Sequence, residues 1–191
     1  MKIKKISKRI ISIFLTMVTV VTMLAAVTIT ANAEYFPEKY EPRLGGRAHV
    51  QSLGWINPTS NTGINGIKIG TEGQALRLEC IELGIYPGTD PNWWYIGGIS
   101  IKTYSGNKWS KLSEAPFGKL AKSGTEGEAK CIKAVKINLT GLIANGYDIY
   151  YRLHLQSSGW ETSWHKNGET AGSINNAKRV EAIEVKLVHK N

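Results

Sequence analysis

Gly70-Thr-Glu-Gly-Gln-Ala-Leu-Arg-Leu-Glu-Cys-Ile-Glu-Leu83 returns as Gly124-Thr-Glu-Gly-Glu-Ala-Lys-Cys-Ile-Lys-Ala-Val-Lys-Ile137, and again as Gly172-Ser-Ile-Asn-Asn-Ala-Lys-Arg-Val-Glu-Ala-Ile-Glu-Val185. The three leading glycines lie about 54 and 48 residues apart, a period that signals a repeat architecture rather than separate domains. Upstream of each copy stands a short run closed by a glycine and a tryptophan. His49-Val50-Gln51 with Gly54-Trp55 matches His154-Leu155-Gln156 with Gly159-Trp160, and more loosely Ser100-Ile101-Lys102 with Gly106 and Trp109.

These segments read as strands. Tyr151-Arg-Leu-His-Leu-Gln156 and Ile183-Glu-Val-Lys-Leu187 alternate with period two, and Gly, Asn and Ser clusters bound them. No long stretch after residue 33 carries helical spacing. In Leu78-Glu-Cys-Ile81, Ile132-Lys-Ala-Val135 and Val180-Glu-Ala-Ile183 the alternation slips by one residue, which predicts a β-bulge in each copy. Asn65-Gly66 and Asn167-Gly168 predict tight hairpin turns, because both residue types accept positive φ. Gly118 implies a longer turn in the middle copy.

An all-β domain of three repeats, closed with pseudo-threefold symmetry as a β-prism or alternatively a β-trefoil, is therefore expected. In that arrangement Trp55, Trp109 and Trp160 form a structural core around the axis, each worth at most about 4 to 6 kcal/mol of buried area.

The N-terminus holds Lys2, Lys4, Lys5, Lys8 and Arg9, then an apolar run, then Ala31-Asn32-Ala33. This is the pattern of a secretory signal over residues 1–33, removed after Ala33 or retained as an anchor. Residues 34–43 read as an N-terminal segment or linker. The single domain of three repeats spans 44–188, with copies at about 44–86, 93–139 and 149–188. Without the five N-terminal cations the formal charge falls from +9 to +4, which argues against a nucleic-acid partner. Export permits a disulfide, so Cys80 and Cys131 are either bonded or free, Cys80 buried and Cys131 partly exposed.

His-Val-Gln-x-x-Gly-Trp, then Asn-Gly, then Gly-Thr-x-Gly, then Leu-Arg-Leu-Glu-x-Ile resembles the clostridial hydrophobic repeat with a central tryptophan, the ChW repeat. The resemblance covers about residues 44 to 188 and is close in copies one and three. Copy two lacks the Asn-Gly and the His-x-Gln. The resemblance implies a secreted or cell-surface protein of Gram-positive bacteria, with a polysaccharide or another protein as ligand. It supplies no catalytic residues.

Glycan hydrolysis needs two carboxylates at a set distance. Glu79 with Glu82 and Glu181 with Glu184 are the pairs available, but copy two carries Lys133 and Lys136 at the same places. A position that takes either sign reads as a solvated face, on which Glu79→Lys would be nearly neutral. No Gly-x-Ser-x-Gly nucleophile motif and no metal-ligand spacing is present, so neither catalysis, metal nor cofactor is expected. His49, Gln51, His154 and Gln156 are candidate ligand contacts, or else hydrogen-bonded strand residues. Trp93, in the linker Asp90-Pro-Asn-Trp-Trp-Tyr95, and Trp164 with His165, in the loop after Trp160, break the repeat and offer aromatic faces to a sugar or a protein. The expected function is a secreted, non-catalytic binding module for carbohydrate or cell-wall polysaccharide. A protein-protein adhesion or assembly module and a small glycan hydrolase are the alternatives.

Overall fold

In a computed structural model, residues 42–61, 66–86, 97–175 and 178–190 are described, all within the unit Ala33–Asn191. The expected signal over residues 1–33, Asn65, and the linker with Trp93 lie outside the described residues. Among those described, no helix is long and apolar enough to cross a membrane.

Among the described residues nearly all the regular structure is β, and the strands fall into three successive groups of five. The first group is β1 (Arg43–Val50), β2 (Gly54–Ile56), β3 (Ser60–Asn61), β4 (Ile67–Gly70) and β5 (Leu78–Tyr86). The second is β6 (Gly98–Ser105), β7 (Lys108–Trp109), β8 (Ser113–Pro116), β9 (Ala121–Gly124) and β10 (Ile132–Thr140). A single helical turn, α1 (Ile143–Gly146), leads to β11 (Tyr147–Leu155), β12 (Gly159–Trp160), β13 (His165–Lys166), β14 (Ala171–Gly172) and β15 (Val180–His189).

Each group contributes its first, second and fifth strands to one sheet and gives its fourth to another. Sheet 1 runs β2-β1-β5-β9, sheet 2 β14-β10-β6-β7 with β8 also on β6, and sheet 3 β12-β11-β15-β4-β3 with β13 also on β11. Group two therefore completes the sheet of group one, group three that of group two, and group one that of group three. The exchange closes cyclically, which is the expected pseudo-threefold relation. The three sheets do not form a closed barrel.

The long strands β5, β10 and β15 approach one another inside. Their inward residues are aliphatic, among them Leu78, Ile81, Leu83, Ile132, Val135, Ile137, Val180, Ile183 and Val185, and all belong to one buried cluster with β1, β6 and β11. The bulges occur where the slipped alternation places them. His49 pairs Cys80 while Val50 pairs Leu78, leaving Glu79 extra; Lys133 and Glu181 are the extra residues of β10 and β15.

Tryptophan is not in this core. The register pairs His49 with Trp55, Tyr104 with Trp109 and His154 with Trp160. Directly opposed residues share a face, so each indole lies on the outer face, opposite Val50 and its counterparts, and each is only partly buried. The axis is filled by branched aliphatic chains instead. The same register puts Tyr104, not Ser100, in the place of His49 and His154.

Each exchanged strand ends on a glycine set against a small residue: Gly124 pairs Cys80, Gly172 pairs Ala134 and Gly70 pairs Ala182. A Cβ on Gly124 would lie 2.6 Å from the Cys80 Cα, and one on Gly70 2.7 Å from the Ala182 Cβ. Close approach here is what lets one group lock into its neighbour's sheet. Asn167 and Gly168 form the expected positive-φ turn, at 45° and 88°. The Asn167 amide holds it in place, accepting from the Ile149 N–H at 3.0 Å and donating to Asp148 at 2.6 Å.

Candidate functional site

The outer face of sheet 1 carries Arg47, His49 and Trp55 beside Cys80 and Glu82. The His49 ring meets Trp55 edge-on at 5.6 Å. His49 Nδ1 lies 3.0 Å from a Glu79 carboxylate oxygen, and Arg77 reaches the other at 2.7 Å. The Arg47 guanidinium stacks 4.5 Å from the indole centre and its Nε donates to Glu82 at 2.6 Å. The Trp55 Nε1 donates to Glu126 at 2.9 Å, in the Gly-Thr-Glu-Gly loop of the next group, and Lys122 binds the same carboxylate. Those two donors hold Glu126 below the usual carboxylate range, the lysine first. Beneath this cover, burial pushes the Cys80 thiol up to about 11.

Sheet 3 repeats the arrangement. His154 meets Trp160 at 5.4 Å, Arg179 binds Glu181 at 3.0 Å, and Arg152 binds Glu184 at 2.7 Å. The Trp160 Nε1 donates to Glu72 of group one at 3.0 Å. The hydrogen bond from Lys68, then that from Trp160, lowers the Glu72 pKa.

Sheet 2 departs from the pattern as a set. Tyr104 replaces the histidine, Cys131 the arginine and Lys133 the bulged glutamate, and Lys102 faces Lys136 where the others pair Arg with Glu. At the place of Glu72 and Glu126 stands Ile174, and the Trp109 Nε1 has no hydrogen-bond partner among the described residues. A hydrogen bond to a charged acceptor contributes about 1.5 to 3 kcal/mol. Trp55→Ala and Trp160→Ala are therefore expected to lower the melting temperature more than Trp109→Ala, and all three less than a fully buried Leu78→Ala. Equal losses for all three tryptophans would count against this role of the indole N–H.

The paired glutamates are not on a solvated face. Glu79 and Glu181 are 4% exposed and Glu82 7%. Their charge is tolerated because each has its own cation; in sheet 2 the bulged carboxylate and its arginine are replaced together, by Lys133 and Cys131, and the cross-strand Arg–Glu pair by Lys102 and Lys136.

Among the described residues, sheet 3 alone extends its aromatic surface. Trp164 lies 4.8 Å from Arg152, which also faces Trp160 at 5.2 Å, and 4.1 Å from Lys186. Lys186 and Lys166 each lie 5.8 Å from the Tyr150 ring. Trp160, Arg152, Trp164, Lys186 and Tyr150 thus make one run of rings and cations. Both side chains of the segments 49–86 and 154–189 that cover a histidine with a tryptophan belong to one sequence pattern.

Those two segments match the Clostridial hydrophobic W (ChW) family. The middle segment is not matched. No curated protein and no solved structure matches the chain.

The other sequence candidates separate on this framework. His49 is bonded to Glu79, His154 stands 3.4 Å from Glu181, and both rings meet an indole edge-on. His165 turns away from Trp164, its Nε2 3.4 Å from Glu161 and its ring facing the buried Tyr151. Gln51 and Gln156 begin the turns after β1 and β11, their N–H groups bonded to the Arg77 and Arg179 carbonyls. Cys80 and Cys131 are free, one buried and one partly exposed. Among the described residues no group of His, Cys, Asp and Glu is placed to hold a metal ion. The placement of Arg152 and Lys186 against Trp164 escaped the sequence reading. Its signal was available, since both lie on the same strand face as the ladder around His154.

Proposed function

We propose that the chain is a non-catalytic binding module acting outside the cell, and that sheet 3 recognises a carbohydrate or cell-wall polysaccharide. The observation that carries this reading is the run Trp160-Arg152-Trp164-Lys186-Tyr150, where flat apolar rings alternate with guanidinium and ammonium groups. Rings offer stacking area and their cations add hydrogen-bond donors, a combination suited to a hydroxylated and acidic polymer. The ChW match of two segments fits this class, and so does the signal-like N-terminus. The middle group, which has the same strand plan and the same glycine lock, is read as a diverged third copy. The engagement of Glu79, Glu82, Glu181 and Glu184 by cations supports a non-catalytic role, since a hydrolase needs one carboxylate free to take and return a proton.

Retention of the full chain on insoluble cell-wall polysaccharide tests the reading. Trp164→Ala is expected to weaken retention about tenfold, the loss of roughly 1.4 kcal/mol from one stacking contact, with an unchanged melting temperature. Retention that is indifferent to Trp164→Ala and Arg152→Ala rejects sheet 3 as the binding face. Absence of any glycan binding, with capture of a purified surface protein, would favour the adhesion module.

A further inference from the structure

The corner where each exchanged strand passes its own group's first strand differs chemically among the three copies. In group one this corner is apolar: Ala48, Val50 and Ile69 are buried in the core, and Ile56 and Leu76 pack on it. The same five places in group two, counted from the matched tryptophans, bulges and glycines, are Thr103, Ser105, Ser123, Ser110 and Lys130. Every apolar side chain has become polar. In group three, Leu153, Leu155 and Ala171 keep the corner largely apolar, and Glu161 accepts from the Leu153 and Gly172 N–H groups at 3.0 and 2.8 Å.

Polar groups at a buried corner without function would each cost about 1 to 3 kcal/mol unless paired. Three of them are paired, since Ser123 Oγ lies 2.9 Å from Thr103 Oγ1 and 3.0 Å from Ser110 Oγ. Ser105 is not: like Thr71 Oγ1 at the matching place in group one, Thr125 Oγ1 is buried without a hydrogen-bond partner among the described residues, and here Ser105 Oγ joins it. Ser105 and Thr125 line a cavity of about 90 Å³ that opens between the β6–β7 hairpin and the Gly124-Thr125 loop, with Lys108 and Lys130 at its rim. Of the two acids of the adjoining loop, Glu126 is held by Trp55 and Lys122 and Glu128 is bound to Lys130 at 2.5 Å, while Lys108 has no carboxylate partner among the described residues.

We propose that this corner binds a phosphate-sized oxyanion, either free or as the phosphate ester of a larger molecule. Hydroxyls from Ser105 and Thr125 would donate to it and the two ammonium groups would balance its charge. The cavity is too small for a hexose ring and larger than one water needs. Two exposed ammonium groups at the rim favour an anion over a neutral occupant. The site lies on group two and does not depend on the aromatic run of sheet 3, so either can fail without the other.

Amide chemical shifts of the full chain, followed during titration with inorganic phosphate at constant ionic strength, decide the matter. Saturable shifts confined to residues 105–108 and 124–130, with a dissociation constant of order 1 mM, are expected. Ser105→Val restores the residue type of group one and should abolish the shifts without lowering the melting temperature. Lys108→Ala with Lys130→Ala, at the exposed rim, should weaken binding at least about tenfold. Glycerol 3-phosphate in place of phosphate separates the sources: equal or tighter binding indicates an ester ligand, and exclusion indicates the free anion. Absence of saturation up to roughly 50 mM phosphate, or shifts that survive Ser105→Val, would overturn the proposal and leave the cavity to water.

Discussion

Gly124→Val is expected to destabilise the chain by about 4 kcal/mol or more, a large share of the stability of a domain this size. Two costs add. The backbone at Gly124 has φ of 118°, a conformation that a β-branched residue reaches only with strain of about 1 to 3 kcal/mol. A side chain there also meets first the Glu79 carbonyl oxygen and then the Cys80 Cα at 2.6 Å, an overpacked contact costing about 1 to 3 kcal/mol. Gly127 separates the two effects, since its φ is 69° but nothing stands within 4 Å of the Cβ it lacks. Gly127→Ala should cost about 1 kcal/mol. Denaturant midpoints of the two variants give the comparison, and similar losses would mean that the lock between groups one and two carries no packing of its own.

That lock was half legible in the sequence. The recurrence of Gly70, Gly124 and Gly172, and of Cys80, Ala134 and Ala182, marked two places where only small residues are found. The slipped alternation located all three bulges. Nothing local says that the glycine of one copy meets the small residue of the preceding one, because that pairing is made across group boundaries by the exchanged strand. The tryptophans were misplaced for a different reason. Repetition at symmetric positions suggested a shared core, but a tight turn after Val50 pairs Trp55 with His49, and His49 already belonged to the face opposite Val50. Followed through the turn, the alternation carries the indole outward. In the proposed binding surface, Trp164 stood out as an aromatic outside the repeat, whereas Arg152 and Lys186 looked like ordinary solvated cations until the sheet brought them beside it.

Glu79→Lys carries the second large effect, about 3 to 5 kcal/mol of lost stability. Compared one position at a time, Lys133 made the glutamate look replaceable. Three positions change together between the copies: His49 with Tyr104, Arg77 with Cys131 and Glu79 with Lys133. In group one the carboxylate is 4% exposed and sits between Arg77 at 2.7 Å and His49 at 3.0 Å. A lysine at that place would bury an ammonium beside a guanidinium, and breaking a buried pair on one side costs about 3 to 5 kcal/mol. Glu128→Lys, at an exposed pair with Lys130, should cost about 1 kcal/mol or less. Combining Glu79→Lys with Arg77→Cys and His49→Tyr rebuilds the set found in group two and should recover most of the loss. Thermal melts of the single and triple variants test the coupling. A triple variant no more stable than Glu79→Lys alone would show that the three residues do not act as a unit.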